Sequence, residues 1–266
     1  MEGCYGMSPI KTSLKLLPID LSIVIPAYLE EKRIASTLDR LAHFLKYDSY
    51  FKNKEVEVIV VAADAGDRTH EIVETKKYQF KSFVFLKPGS RVGKGRDVQY
   101  GMLRARGKFV IFMDADLATP LHHLEKIYKS CEAGYDIVVG TRNLLKHHPN
   151  LVRRSISNLG NVLFRLAGGL WIEDSQCGFK MFNHQATRLC FTQLTILGWG
   201  FDMEILTIAN VNKLKIKSFR INDWQSMPNS TFTDNVVVIA IRSLRDLVHI
   251  VRCRLSQSYN ISEGNK

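Results

Sequence analysis

The chain has 266 residues, with 37 Lys and Arg against 26 Asp and Glu, a formal net charge of +11. That length suits one large domain with a substantial core. A composition of 45% hydrophobic and 24% charged residues excludes an intrinsically disordered chain. The basic excess calls for an anionic partner: nucleic acid, a phosphorylated substrate or an acidic membrane. No RNA- or DNA-binding motif accompanies it, so nucleic acid is not expected.

Residues 1–20 read as a loose N-terminal extension without the apolar core of a secretory signal. LSIVIP then reads as a buried strand stopped by Pro26, and Ile34, Leu38, Leu41, Ala42 and Leu45 follow at helical spacing. Further strands are expected at Val56–Val61, Phe83–Leu86, Phe109–Met113 and Asp136–Gly140, with helices over Gly95–Arg106 and Pro120–Cys131. Strands that are continuous apolar runs, alternating with helices, indicate an α/β fold: a Rossmann-like, mostly parallel sheet with helices on both faces. Beyond about residue 145 the alternation weakens. The expected organisation is a main domain over 21–231, an amphipathic, membrane-surface helix within 232–258, and a tail over 259–266.

Within Val236–Leu255, a helical projection puts Arg242, Arg245, His249 and Arg252 on one stripe. Val237, Ala240, Leu244, Leu247, Val248, Val251 and Leu255 fall opposite, a pattern that suits an anionic membrane surface or, equally, packing on the domain. No charge-free apolar run reaches the roughly 18–20 residues that span a bilayer; even Ser155–Ile172 carries Arg165. Five scattered cysteines, an odd number without a CxxC pair, fit a reducing compartment. The expectation is a cytoplasmic protein, peripheral on the cytosolic face of a membrane, with no transmembrane segment and no signal peptide.

Ligands of such sheets bind beyond the carboxyl ends of the strands. The most informative segment there is FMDADLATP, where Asp114 and Asp116 leave a buried strand one residue apart. Hard divalent cations take oxygen ligands, often carboxylates together with substrate phosphates; a solvated acidic turn is the alternative. Gly93-Lys94-Gly95 at a helix start can offer backbone N–H groups and a cation to a phosphate, or be a plain turn. Arg142, after the fifth strand, and Arg153-Arg154 are suited to phosphate, or to a local carboxylate and a solvated face respectively. His122, His123, His147 and His148 have no metal-ligand spacing in sequence, and Trp171 and Trp199 are expected in the core.

In their order along the chain, PAYLEE (Pro26–Glu31), GDRTHEIV (Gly66–Val73), Gly93–Pro120, VVGTR (Val138–Arg142), DSQCGFKMF (Asp174–Phe182) and GFDMEI (Gly200–Ile205) resemble family 2 glycosyltransferases. The match is nearest to the branch of dolichyl-phosphate glucosyltransferases and dolichyl-phosphate mannose synthases, and it covers about residues 21–250. The resemblance implies a GT-A fold, a nucleotide-sugar donor of the UDP-glucose or GDP-mannose type, Mg²⁺ or Mn²⁺, inversion at the anomeric carbon and a polyisoprenyl-phosphate acceptor. It places Pro26, Ala27, Tyr28 and Glu30 at the donor, the metal and diphosphate on Asp114 and Asp116, and the acceptor phosphate on Arg142 and Arg153; Lys94 is expected at the donor, while Asp174 and Gln176 shape the acceptor site or are structural. The family's usual base-contacting Asp is Ala63 here, and Asp64 is the candidate substitute. Trp224 is expected beside the donor, and Ser230-Thr231 stand where relatives have Ser-Lys. Asp202 is implied as a base or an orienting carboxylate. A GT-A enzyme acting on a saccharide hydroxyl, with Asp202 as base, and an inactive nucleotide-sugar-binding protein are the alternatives.

Overall fold

The computed structural model describes residues 18–142, 169, 172, 174–225 and 236–260, with 236–240 as backbone only. Arg153, Arg154, His147, His148, Trp171, Ser230 and Thr231 lie outside the described residues, as do residues 1–17 and 261–266 of the expected extension and tail.

The strands are β1 (Leu21–Pro26), β2 (Val56–Val61), β3 (Ser82–Leu86), β4 (Phe109–Met113), β5 (Ile137–Arg142), β6 (Phe179–Asn183) and β7 (Ile216–Ile221). The helices are α1 (Ile34–Tyr47), α2 (Thr69–Lys76), α3 (Lys94–Met102), α4 (His123–Glu132), α5 (His184–Gln193), α6 (Phe201–Val211) and α7 (Val236–Leu255). The sheet order is β3-β2-β1-β4-β6-β5-β7. Its pairs are parallel except those of β6, which runs antiparallel to both β4 and β5.

Alternate residues of the apolar strands feed two cores. Ile23, Ile25, Val58, Val60 and Ile111 pack with α1, α2 and α4 on one face. Val24, Ile59, Val61, Val110 and Phe112 pack with α3, α5 and α6 on the other. This is why the strands read as unbroken apolar runs rather than alternating ones. From β1 the chain winds outward to β2 and β3 on one side, while β4 lies on the other. Such a switch point leaves a crevice beyond the strand ends, here between Pro26 and Asp114.

The C-terminal helix is present, but its basic and aliphatic residues are not segregated to opposite faces. The buried side carries Asp246 and Ile250, with Leu247 half-buried beside Ile196 and Met203. His249 also faces inward, its Nε2 2.7 Å from Thr195 Oγ1. Polar groups on α6 and the preceding loop draw these side chains in: Asp246 accepts the backbone N–H of Gly200. Ile241, Leu244, Val248 and Leu255 are exposed, as are Arg242, Arg245 and Arg252, so the aliphatic and basic residues share the outer side.

At the opposite end of the sheet, the buried Glu57 carboxylate joins three segments. It accepts from Ser22 Oγ at 2.5 Å, from the Arg106 backbone N–H at 2.7 Å and from the Arg106 guanidinium at 2.8 and 3.0 Å. Glu57→Ala takes the acceptor from the Ser22 O–H and the Arg106 amide, and a loss of about 2–4 kcal/mol is expected. Denaturant unfolding at neutral pH measures it; a loss below about 0.5 kcal/mol, the surface-substitution range, would show that the carboxylate holds nothing together.

Candidate active site

The crevice at the switch point is walled by the segments after β1 and β4, the start of α3, and Arg142, Gly178 and Phe179. Pro26, Ala27, Tyr28 and Glu30 line one side, and the Arg91 guanidinium lies 3.6 Å from the centre of the Tyr28 ring. Glu30 is held by Arg33, whose Nε and Nη2 donate at 2.7 and 2.9 Å. Burial nevertheless pushes the Glu30 carboxyl above its ordinary value, with Asp116 and Asp114 adding repulsion that Arg33 offsets in part.

Asp114 and Asp116 stand at the centre. Lys94 Nζ is 2.6 Å from Asp114 Oδ1, and Asp116 Oδ1 accepts the Ala118 N–H at 3.0 Å. Burial and the neighbouring Asp114 hold the Asp116 carboxyl above the ordinary range. Lys94 is pushed up: burial works against its charge, but Asp114 and Asp202 outweigh it. Leu117, between the second Asp and Ala118, sits at φ 52, a conformation that costs a non-glycine residue energy and concentrates at functional sites.

Across the crevice, Arg142 Nε and Nη2 meet the two oxygens of Asp174 at 2.6 and 2.9 Å, and the Arg142 N–H adds a third bond at 3.1 Å. Burial raises the Asp174 carboxyl, yet the Arg142 guanidinium more than offsets this and holds it below its usual value. Gln176 is exposed; its N–H donates to Asp174, and its side chain is not part of the wall. Asp202 also lies outside the wall. It is buried against Lys180 Nζ at 2.5 Å, and burial raises its carboxyl despite that lysine and Lys94.

Asp64 does not reach the crevice. It is exposed and its N–H bonds the Gly89 carbonyl in a bridge between the segments after β2 and β3. Trp199 departs from the expected core position: it is 45% exposed and lines the crevice near Lys94. Trp224 lines it as well, with the Arg142 guanidinium 5.5 Å from its ring centre. Arg33, Arg91 and Asp97 complete the wall without having been singled out in the sequence.

Residues 22–191 match the family model described as glycosyl transferase family 2. The chain belongs to that family. Among curated relatives, the dolichyl-phosphate beta-glucosyltransferase of Drosophila melanogaster is 33% identical over 228 residues, 81% of this chain and 70% of that protein. The Saccharomyces cerevisiae protein of the same name is 31% identical over 268 residues, 93% and 78% of the two chains. The fold resembles glucosyl-3-phosphoglycerate synthase from Mycobacterium tuberculosis in complex with UDP: TM-score 0.64, 17% identity, 88% of this chain and 80% of that one. The same synthase with Mn²⁺, UDP and glucosyl-3-phosphoglycerate gives a TM-score of 0.60 at 17% identity, covering 92% and 82%. At such identity the likeness is one of fold, and it establishes the GT-A architecture.

In this glycosyltransferase Asp97 is a buried carboxylate in the crevice wall, with one oxygen, Oδ1, that has no hydrogen-bond partner among the described residues. Burial pushes its carboxyl up to about 6, against weaker opposing charges of Arg96 and Arg91. A carboxyl raised on folding stabilises the protein fully below the unfolded-state value near 3.9, and that contribution is lost as pH rises through about 6. Asp97→Asn removes the titration. The stability of the variant relative to wild type is expected to rise by about 2–3 kcal/mol between pH 4 and pH 8. Denaturant unfolding across that range checks it; a difference independent of pH would mean that Asp97 titrates normally.

Proposed function

We propose that this glycosyltransferase moves a hexose, glucose in keeping with the names of its relatives, from a nucleoside-diphosphate donor to a polyisoprenyl (dolichyl-type) phosphate. The observation that carries the reading is the pairing of walls in one crevice. Two acidic groups and a lysine stand on one side, and an arginine clamped by a buried carboxylate stands on the other. The Tyr28 ring with Arg91 upon it offers a flat surface to a nucleobase, and Lys94 offers a cation to the diphosphate.

The all-oxygen pair Asp114 and Asp116 fits Mg²⁺ or Mn²⁺. Burial chiefly, and then the charge of Asp114, raise the Asp116 carboxyl, and a dication would offset both. When bound, the metal neutralises charge developing on the leaving diphosphate. A guanidinium has five N–H donors, and Asp174 takes two from the Arg142 side chain. The rest, held at a fixed angle by that fork, suit an acceptor phosphate. A phosphate monoester is largely dianionic at neutral pH, so its oxygen can attack the anomeric carbon, from the side opposite the leaving diphosphate, without a protein base. A saccharide hydroxyl would need one, and Asp202, enclosed with Lys180, lies outside the crevice wall. Its role in this reading is to position Lys180 and, by charge, Lys94.

The test is a panel of UDP- and GDP-hexoses with polyisoprenyl phosphate or with saccharide acceptors, products being followed by mass spectrometry. Metal-dependent transfer to the lipid phosphate is expected, and glycosylation of a saccharide alone would overturn the reading. Arg142→Ala should raise the KM for the lipid about tenfold or more, one charge-assisted contact being worth about 1.5–3 kcal/mol. The donor KM should change little, and equal damage to both would return Arg142 to the donor side.

No helix among the described residues is long and apolar enough to cross a membrane. The outward Ile241, Leu244, Val248 and Leu255, bordered by Arg242, Arg245 and Arg252, suit a helix lying on an anionic cytosolic leaflet. Replacing these three arginines with Glu should release the protein from anionic liposomes in co-sedimentation while leaving its circular dichroism unchanged. Binding equal to wild type in the triple variant would exclude α7 as the contact.

A further inference from the structure

His122 and His123 open α4, just after the turn that carries Asp114 and Asp116, and Asp223 follows β7. A hundred residues separate them in sequence, yet the fold turns both imidazoles onto one carboxylate. His123 Nε2 is 2.6 Å from Asp223 Oδ1, and His122 Nε2 is 3.1 Å from Oδ2. The ligand atoms of all three residues lie within 4.8 Å of one another. The His123 ring is mostly covered and sits 5.9 Å from the Phe219 ring, so packing fixes its direction. None of the three residues lines the crevice.

We propose that His122, His123 and Asp223 form a second metal site, for a borderline transition-metal cation of the Zn²⁺ class. Two imidazoles and a carboxylate are a donor set for Zn²⁺ and poor for Mg²⁺, which takes oxygen. Ligands about 2.0–2.1 Å from a tetrahedral ion stand about 3.3 Å apart. The present separations, 2.6 and 3.1 Å to the carboxylate and none above 4.8 Å, reach that spacing with side-chain shifts of about 1.5 Å at most, and water completes the fourth position. Such an ion would pin the segment after β4 to the segment after β7. Those segments already meet where the Gln225 N–H donates to the Ala118 carbonyl, and their neighbours Ala118 and Trp224 face the crevice. The site would act as a staple at its rim, whatever donor the crevice takes. The competing account makes Asp223 a counter-charge for the two histidines and the N-terminus of α4. It needs no ion.

The experiment uses the full chain carrying Asp114→Asn and Asp116→Asn, so that the oxygen site is silent. Zn²⁺ is titrated by calorimetry and Co²⁺ by its visible absorption. One ion per chain is expected, with Mg²⁺ unable to displace it. His122→Ala, an exposed position that does not endanger folding, and Asp223→Asn should each weaken Zn²⁺ binding roughly tenfold or more. Zn²⁺ should also raise the melting temperature of the parent and not of His123→Ala. Absence of Zn²⁺ uptake, or uptake unchanged in the His122 and Asp223 variants, would overturn the proposal. So would a thiolate-to-cobalt charge-transfer band, which would put the ion on cysteine.

Discussion

The Asp114 carboxylate occupies a place that no side chain opposite can share. A Cβ on Gly178 would lie 2.0 Å from Asp114 Oδ2, and the Gly178 carbonyl accepts the Asp114 N–H at 3.1 Å. That close approach exists because β6 runs antiparallel between β4 and β5, with Met113 paired to Phe179. The antiparallel strand brings the turn from Asp174 to Gly178 back over the carboxyl ends of its neighbours. It thereby sets Asp174 beside Arg142 at the end of β5, and Lys180 beneath the site against Asp202. A purely parallel sheet would have a crevice beyond its strand ends and no second wall. Here the second wall is delivered by the strand that breaks the pattern.

Within the crevice, charges of both signs are brought together at an energetic cost. Glu30, Asp97 and Asp116 all have carboxyls raised by burial. Leu29 and Leu117 hold left-handed backbone beside Glu30 and Asp116, at φ 57 and 52. Desolvated acids and backbone strain gathered in one place mark a site whose function opposes its stability. The lost free energy is recovered elsewhere, in the two apolar cores and in polar nodes such as Glu57, whose partners are complete.

The central architecture was legible because its cause is local. β1, β2 and β4 are apolar on both faces, and the residues that follow β1 and β4 are those that meet at the switch point. What escaped the sequence depends on distant partners. β6 carries Lys180, which reads as an exposed residue until the fold supplies Asp202 and the Cys177 carbonyl to bury it. Asp64, the candidate substitute for the missing family Asp at 63, has its backbone tied to the segment after β3, an arrangement that no local spacing announces. Trp199 belongs to a loop whose position is set by α6 rather than by its own apolarity. The two histidines found their carboxylate a hundred positions away, where no spacing rule reaches. On α7 the basic and aliphatic residues share the outer side because helical projection places residues by angle alone, whereas Asp246 goes inside here to accept the Gly200 N–H.

Those polar groups give α7 a role beyond covering the sheet. Glu204, fully buried on α6, accepts the N–H groups of Thr195 and Ile196 and the hydroxyls of Thr195 and Tyr259. His249 of α7 bonds the same Thr195 side chain. The loop so fixed, Leu194 to Trp199, is the surface against which the Gly93–Gly95 turn packs: Leu197 O accepts the Arg96 N–H. A Cβ on Gly95 would lie within 3 Å of Phe201, Ile196 and Gly198 atoms. Glycine at 95 is therefore demanded by close approach, and the position of Lys94 over Asp114 rests on a loop anchored from two helices. His249 of α7, through Thr195 and the buried Glu204, is thus linked by polar contacts to the loop beside Lys94. The helix therefore sits one hydrogen bond from the loop that seats Lys94, so a shift of α7 would be felt at the crevice through Thr195.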